Sequence, residues 1–163
     1  MRGKALVFVL SFLLVGTGAV AGAPKKPATV AELALYEGAD RQQILEEGAK
    51  KEGKLNFYTT HIAHRALVDA FQKRYPFIKV AAWRADTNVI ASRIIEEYKS
   101  GQHLFDSVES TQLVSLTLQK TGVVQPFYSP HLAYIEEGAI SKAPNGGALA
   151  VVFREGYIGL GYN

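Results

Sequence analysis

Small hydroxyl and amide side chains recur at three places in this 163-residue sequence: residues 59–61 (Thr-Thr-His), 86–88 (Asp-Thr-Asn) and 110–112 (Ser-Thr-Gln). Each triplet follows a predicted strand and begins a predicted helix, where unpaired backbone N–H groups can hold an anion or a polyol. The same residue types are the preferred helix N-caps, so a single triplet fits plain capping equally well. Three of them along one fold favour a ligand cleft.

The histidines and serines of these triplets also raise the question of metal binding and catalysis. His61 and His64 are three residues apart without the intervening Glu of a metalloprotease motif, and His61, in the capping loop, is the better metal-ligand candidate. A hydrolase would combine Ser110, His61 and Asp106. Ser110 lacks a surrounding G-x-S-x-G motif, and Asp106 precedes it by only four residues on the same predicted strand, so the spacing favours binding over catalysis.

The elements that must position the triplets alternate between strand and helix periodicity. Alternating or β-branched runs predict strands over 55–59, 77–82 and 105–109, and apolar residues at helical spacing predict helices over 40–52, 60–75, 86–101 and 110–122. Asp40 is the expected N-cap of the first helix, with Gln43 as its capping-box partner, and Thr60 that of the second. Three strand–helix units predict an α/β fold with a mostly parallel sheet and helices on its faces.

Expected core positions follow from the same periodicity. We expect Tyr58 and Tyr98 to face the core, together with four residues of the last predicted helix: Leu113, Val114, Leu116 and Leu118. Beyond Gly122 the pattern predicts an extended piece over 123–127, a surface loop with one short helical turn over 129–147, and strands over 148–153 and 157–162. Because the last strand meets the end of the sequence without a closing helix, we expect a truncated domain.

The first residues predict export. Arg2 and Lys4 precede an uncharged run over 5–15 and then small residues, which is the pattern of a signal peptide spanning 1–21 with cleavage after Ala21. Cleavage removes two of 18 basic side chains and none of the 15 acidic ones, so the net charge falls from +3 to about +1. A near-neutral chain gives no electrostatic basis for binding nucleic acid or a membrane surface.

Composition excludes further classes of protein and settles the expected organisation. The chain has no cysteine, which excludes a disulfide scaffold, a cysteine metal site and a cysteine-linked lipid anchor. No later segment is apolar for long enough to insert in a membrane. We therefore expect a periplasmic protein with a signal peptide (1–21), a leader and N-terminal helix (22–53) and one α/β lobe (54–163).

Several segments, in order and spacing, resemble the bacterial extracellular solute-binding proteins of ABC importers, in the branch related to ferric-ion, thiamine and polyamine binders. The resemblance is carried by 48–60 (GAKKEGKLNFYTT), by the leader 35–43 (LYEGADRQQ), and by 67–76, 78–80, 93–96, 105–106, 118–122, 124–127 and 161–163. It implies the first lobe of a two-lobed type 2 periplasmic-binding-protein fold, a three-layer sandwich, cut near the hinge. It also implies a monomer that delivers a small-molecule or metal-ion solute to a membrane permease, with no resident cofactor.

The resemblance further implies where the solute binds. In such proteins the first lobe contacts solute after its first and third strands, here at Thr59, Thr60, His61, Ser110 and Thr111. Ferric-ion binders place a His after the first strand, near His61, and a Glu at the position of Thr111, with Glu109 close by; their paired tyrosines come from the second lobe. Fe³⁺ and a small charged organic solute both remain open as the transported ligand.

Two alternatives to a working receptor stay open from the sequence. One is a periplasmic enzyme that uses Ser110, or a metal held by His61. The other is a lone lobe without a working solute site, because a cleft shared between two lobes loses about half its contacts when one is absent.

Overall fold

The computed structural model describes residues 25–154. The predicted signal peptide over 1–21 and the predicted strand over 157–162 lie outside the described residues. Within this range the chain forms five α-helices, α1 (Val30–Ala34), α2 (Arg41–Glu52), α3 (His64–Arg74), α4 (Thr87–Lys99) and α5 (Gln112–Lys120), and five strands, β1 (Lys54–Thr59), β2 (Lys79–Arg84), β3 (Ser107–Glu109), β4 (Ile140–Lys142) and β5 (Ala148–Val151).

Strand β1 is the centre of a three-stranded sheet with the order β2–β1–β3, and both of its neighbours run parallel to it. Because β2 and β3 lie on opposite sides of β1, the usual right-handed crossovers place α3 and α4 on opposite faces of the sheet. Helix α3 packs against β2, and α4 packs against α5. The α/β class, with a parallel sheet and helices on both faces, is therefore confirmed.

The hydrophobic core lies between the sheet and the α4–α5 pair. Its buried members are one aromatic residue of β1 and two i,i+4 pairs, one on each helix: Tyr58, Ile90, Ile94, Val114 and Leu118. The i,i+4 spacing puts each pair on a single helix face. These two pairs, one on each helix, are the buried aliphatic side chains with which α4 and α5 cover this face of the sheet.

A polar network ties α4 to β1 inside this core. The Tyr58 hydroxyl donates to Glu97 Oε1 (2.9 Å), and Arg93 Nε donates to the same oxygen (2.6 Å). The Arg93 guanidinium also lies over the rings of Trp83 (4.2 Å to the centroid) and Tyr58 (4.9 Å). Burial, and then the hydrogen bond to the Glu97 carboxylate, raise the pKa of Tyr58. The phenol therefore stays protonated and keeps donating to Glu97.

One predicted helix cap is wrong, and another forms only in part. Asp40 is the N-cap residue of α2, as predicted, but its side chain makes no cap bond; its carboxylate instead accepts a hydrogen bond from the Tyr36 hydroxyl (2.7 Å). Its backbone (φ −88°, ψ 3°) lies outside the extended region that an N-cap normally adopts. Helix α3 begins at His64 rather than after Thr60. The capping box that does form joins Thr29 and Glu32 at α1, in the predicted leader.

Other differences concern the predicted core positions and the start of β2. Tyr98 is 39% exposed, and Leu113 and Leu116 are exposed as well, whereas Tyr58, Val114 and Leu118 are buried as expected. Strand β2 starts at Lys79 instead of 77, because the turn after α3 bonds the Ile78 N–H to the Tyr75 carbonyl.

The predicted surface loop over 129–147 contains more structure than a single helical turn. It holds two 3₁₀ turns, Pro130–Tyr134 and Glu137–Ala139, followed by β4, which pairs antiparallel with β5. Phe127 forms an isolated antiparallel bridge with Ala148, so the expected extended piece reaches the same small sheet. A three-residue strand such as β4 is too short for its own periodicity to reveal it.

The core assignment predicts unequal effects of truncation along α4. Ile94 is fully buried, so Ile94→Ala should lower the free energy of unfolding by about 2–5 kcal/mol through lost burial and a cavity. Val89 is 51% exposed on the same helix, so Val89→Ala should change it by less than about 1 kcal/mol. Urea unfolding of both variants checks the expectation, and equal losses would contradict the assigned core.

Candidate functional site

The candidate site lies where β1 and β3 end. Thr59, the last residue of β1, is in register with Glu109, the last residue of β3. Because the two strands are parallel, both residues reach the same edge of the sheet, the edge at which ligands bind in α/β folds. Thr59 is fully buried, and Glu109 is 8% exposed. We call Thr59, His61, Glu109, Ser110 and Arg154 the strand-end cluster.

Hydrogen bonds fix the centre of this cluster. The Thr59 hydroxyl donates to Glu109 Oε2 (2.5 Å) and accepts from the backbone N–H of His61 (2.9 Å). The other carboxylate oxygen, Oε1, accepts from Arg154 Nη2 (2.7 Å). The backbone N–H of Thr60 donates to the Glu109 carbonyl (3.1 Å), which extends the pairing of the two strands by one residue. Both oxygens of the buried carboxylate are therefore engaged.

Opposing effects act on the pKa of Glu109. Burial alone raises it, but the hydrogen bonds from Thr59 and Arg154 and the positive charges of Arg154 and His61 together lower the pKa below its usual value. Glu109 is therefore ionised at neutral pH. A buried carboxylate without such partners would tend to take up a proton.

The residues that follow β3 supply further polar groups at this edge. Ser110 Oγ is buried and has no hydrogen-bond partner among residues 25–154. Thr111 is the N-cap residue of α5, but its exposed side chain makes no cap bond. Thr60 is half-buried. The structure thus brings the predicted residues Thr59, Thr60, His61, Ser110 and Thr111 to one edge, while their contact with a solute stays a prediction.

The third triplet also reaches this edge. The backbone N–H of Ala85 donates to the Thr59 carbonyl (3.2 Å), which continues the pairing beyond the end of β2. Asp86 follows as the N-cap residue of α4, and its side chain makes no cap bond. The three triplets therefore lie side by side, as the parallel sheet requires. Side-chain capping does not explain the triplets 86–88 and 110–112, because neither N-cap side chain bonds to its helix.

The second histidine and the proposed triad residue lie elsewhere. His64 Nδ1 is 2.9 Å from the His61 carbonyl, so this ring takes part in the turn that begins α3. Asp106 precedes β3, and its Oδ2 accepts from the backbone N–H of Asn56 (2.7 Å). Asn56 is three strand positions before Thr59, about 10 Å along β1. The structure therefore does not assemble Ser110, His61 and Asp106 as a triad.

Metal binding finds little support in the described part of the chain. Residues 25–154 contain no group of three or more His, Cys, Asp or Glu side chains placed to hold a metal ion. His61 and Glu109 are at the same edge, but the carboxylate oxygens already accept hydrogen bonds from Thr59 and Arg154.

Arg154 is the residue that sequence reasoning missed. It lies 45 residues from Glu109 and beyond β5, and nothing in the residues around it indicates the contact. Glu109 was noted only as a neighbour of Thr111; its place as the last residue of a strand, beside Thr59 in the next strand, was the signal that could have identified it.

A separate surface cavity of about 350 Å³ is lined by Asn56, Trp83, Arg93 and Leu104, among others. None of the residues of the strand-end cluster lines it.

No helix within the described range 25–154 has the length and apolar character needed to cross a membrane.

The cluster predicts a pH-dependent contribution to stability. Because folding lowers the pKa of Glu109, its ionised form stabilises the fold above the usual value of 4.5, and that contribution is lost as the pH falls through the folded-state pKa. Glu109→Gln replaces one acceptor oxygen by an NH₂ group, which cannot accept a hydrogen bond from Thr59 or Arg154. The free energy of unfolding should therefore fall by about 1–3 kcal/mol at neutral pH. The difference from the unsubstituted chain should shrink in acid.

Urea unfolding between pH 7 and pH 3 measures this difference. The exposed Glu136 provides the control, because Glu136→Gln removes the same charge from an open surface. A pH-independent loss at Glu109, or an equal loss at Glu136, would contradict the assigned role of the carboxylate.

Comparison of the sequence with known proteins identifies no relative. No protein-family model matches the chain, and no curated protein matches it with significant similarity.

Proposed function

We propose that this chain is an exported receptor lobe that binds a small charged solute at the strand-end cluster and delivers it to the permease of an ABC importer. The solute is a ferric ion or a small charged organic molecule. The observation that carries the proposal is the Thr59–Glu109 pair at the carboxyl edge of a parallel sheet, with the Ser110 hydroxyl beside it, which has no hydrogen-bond partner among residues 25–154.

Rigid positioning of polar groups at this edge supports binding. Thr59 is held on both sides, by the Glu109 carboxylate and by the His61 backbone N–H. Groups that are already fixed before a ligand arrives lose little conformational freedom on binding, so more of the interaction energy appears as affinity. The cluster thus has the preorganisation that a solute site needs.

An unsatisfied buried hydroxyl gives the second line of support. Leaving a buried polar group without a partner costs about 1–3 kcal/mol, and a ligand that accepts a hydrogen bond from it recovers that cost. Ser110 Oγ is such a group, and it directly follows Glu109 in the chain. A solute with an acceptor atom would satisfy it.

The wider parts of the proposal rest on the sequence. Export rests on the signal-peptide pattern over 1–21, and the importer partner rests on the resemblance to solute-binding proteins. The α/β lobe with helices on both faces of a parallel sheet is compatible with that family's fold. Fold alone does not define a function, so binding must be measured.

Isothermal titration calorimetry of the exported chain tests the proposal. The probes are Fe³⁺ supplied as a soluble chelate, thiamine, spermidine, inorganic phosphate and succinate, which cover metal, cationic and anionic solutes. We expect one of them to bind, and Ser110→Ala to weaken that binding by about 10-fold, the value of one hydrogen bond to a charged group.

Ser107→Ala is the matched control, because Ser107 begins β3 at the end away from the cluster and is exposed. Its affinity should equal that of the unsubstituted chain. Absence of binding by every probe, or equal weakening by both serine variants, would refute the proposal.

A further inference from the structure

Arg154 offers more hydrogen-bond donors than the cluster uses. Arg154 lies just beyond β5, and 48% of its side-chain surface is exposed. Its Nη2 donates a hydrogen bond to Glu109 Oε1. A guanidinium carries five N–H donors in a planar fork suited to carboxylate and phosphate groups. Glu109 receives one of these bonds, and the exposed part of the fork remains accessible from solvent.

Glu109, in contrast, is poorly accessible to a cation. Its carboxylate is only 8% exposed, and each of its two oxygens already accepts a hydrogen bond, one from Thr59 and one from Arg154. A cationic solute would have to compete with Arg154 for this carboxylate. An anionic solute can approach the donors of Arg154 that have no partner among residues 25–154, while the ion pair with Glu109 stays intact.

The remaining groups at this edge agree with an anionic ligand. The Ser110 hydroxyl lacks a partner among the described residues and can donate to an oxyanion. The charges of Glu109 and Arg154 offset each other, and the end of β2 carries one charge of each sign, Arg84 and Asp86. The edge thus presents hydrogen-bond donors without an excess of negative charge that would repel an anion.

We infer that the strand-end cluster selects a solute bearing an oxyanion, a carboxylate or phosphate group. This group binds to the Ser110 hydroxyl and to the donors of Arg154 that have no partner among residues 25–154. Glu109 holds Arg154 at the edge of the sheet. The inference rests on the proposed function and narrows it, because it replaces a solute of either charge by an anionic one and assigns that choice to Arg154.

Calorimetric titration with succinate, inorganic phosphate, spermidine and thiamine tests the inference. The unsubstituted chain should bind succinate or phosphate and neither of the two cations. Arg154→Ala should weaken that binding by at least about 10-fold, and Arg154→Lys by less, because an ammonium keeps the charge but loses the fork. Arg65→Ala, at an exposed position of α3, is the matched control and should leave the affinity unchanged.

A readout on the unsubstituted chain guards against loss of folding in the variants. The NMR signal of the Arg154 side-chain N–H should shift as succinate or phosphate is added, and the signal of Arg65 should not. A shift confined to other residues would overturn the inference even if no variant could be purified.

The outcomes separate the inference from the proposed function. Binding of spermidine or thiamine that Arg154→Ala leaves equal or tightens would overturn the anionic selectivity and leave the receptor proposal standing. Failure of all probes to bind the unsubstituted chain would refute the receptor proposal, and the inference with it.

Discussion

The buried contact between Thr59 and Glu109 is the interaction on which the candidate site depends. It joins the last residues of two parallel strands, and both side chains are almost completely removed from solvent. A carboxylate is ionised in such a place only when its hydrogen bonds and a nearby positive charge outweigh the cost of burial. Thr59 and Arg154 provide those partners, so the chain beyond β5 is tied to the edge of the sheet through one glutamate.

Two adjacent residues of β1, Tyr58 and Thr59, belong to the core and to the candidate site respectively. Successive side chains of a strand point to opposite faces. Tyr58 reaches the core between the sheet and α4–α5, where it donates to Glu97, while its neighbour Thr59 bonds across the strand ends to Glu109. A shift of one residue in the pairing of β1 would exchange the two and lose both contacts, so the register of one strand fixes the core and the candidate site together.

The two buried glutamates, Glu97 and Glu109, have similar hydrogen-bond partners, which offset the cost of burying a carboxylate. Glu97 accepts from a tyrosine hydroxyl and from Arg93, and Glu109 accepts from a threonine hydroxyl and from Arg154. They differ in setting, because Arg93 is stacked on Trp83 and Tyr58 within the packed structure, whereas Arg154 lies on an irregular segment with half its side chain exposed. The first pair therefore holds elements together, and the second presents unused donors to solvent.

Periodicity in the sequence was enough to determine the strand–helix order and the α/β class, because these depend on contacts between near neighbours along the chain. It also brought the three polar triplets to one edge, since parallel strands end together. It did not separate the buried Val114 and Leu118 of α5 from the exposed Leu113 and Leu116. Asp40 stands at the N-cap of α2 as predicted, but its carboxylate bonds to Tyr36 instead of the helix, and only the folded backbone brings that competing partner within reach. The bond between Arg154 and Glu109 joins residues 45 positions apart, and no local pattern encodes it, so only the tertiary structure decided that an arginine lies beside this buried carboxylate at the edge of the sheet.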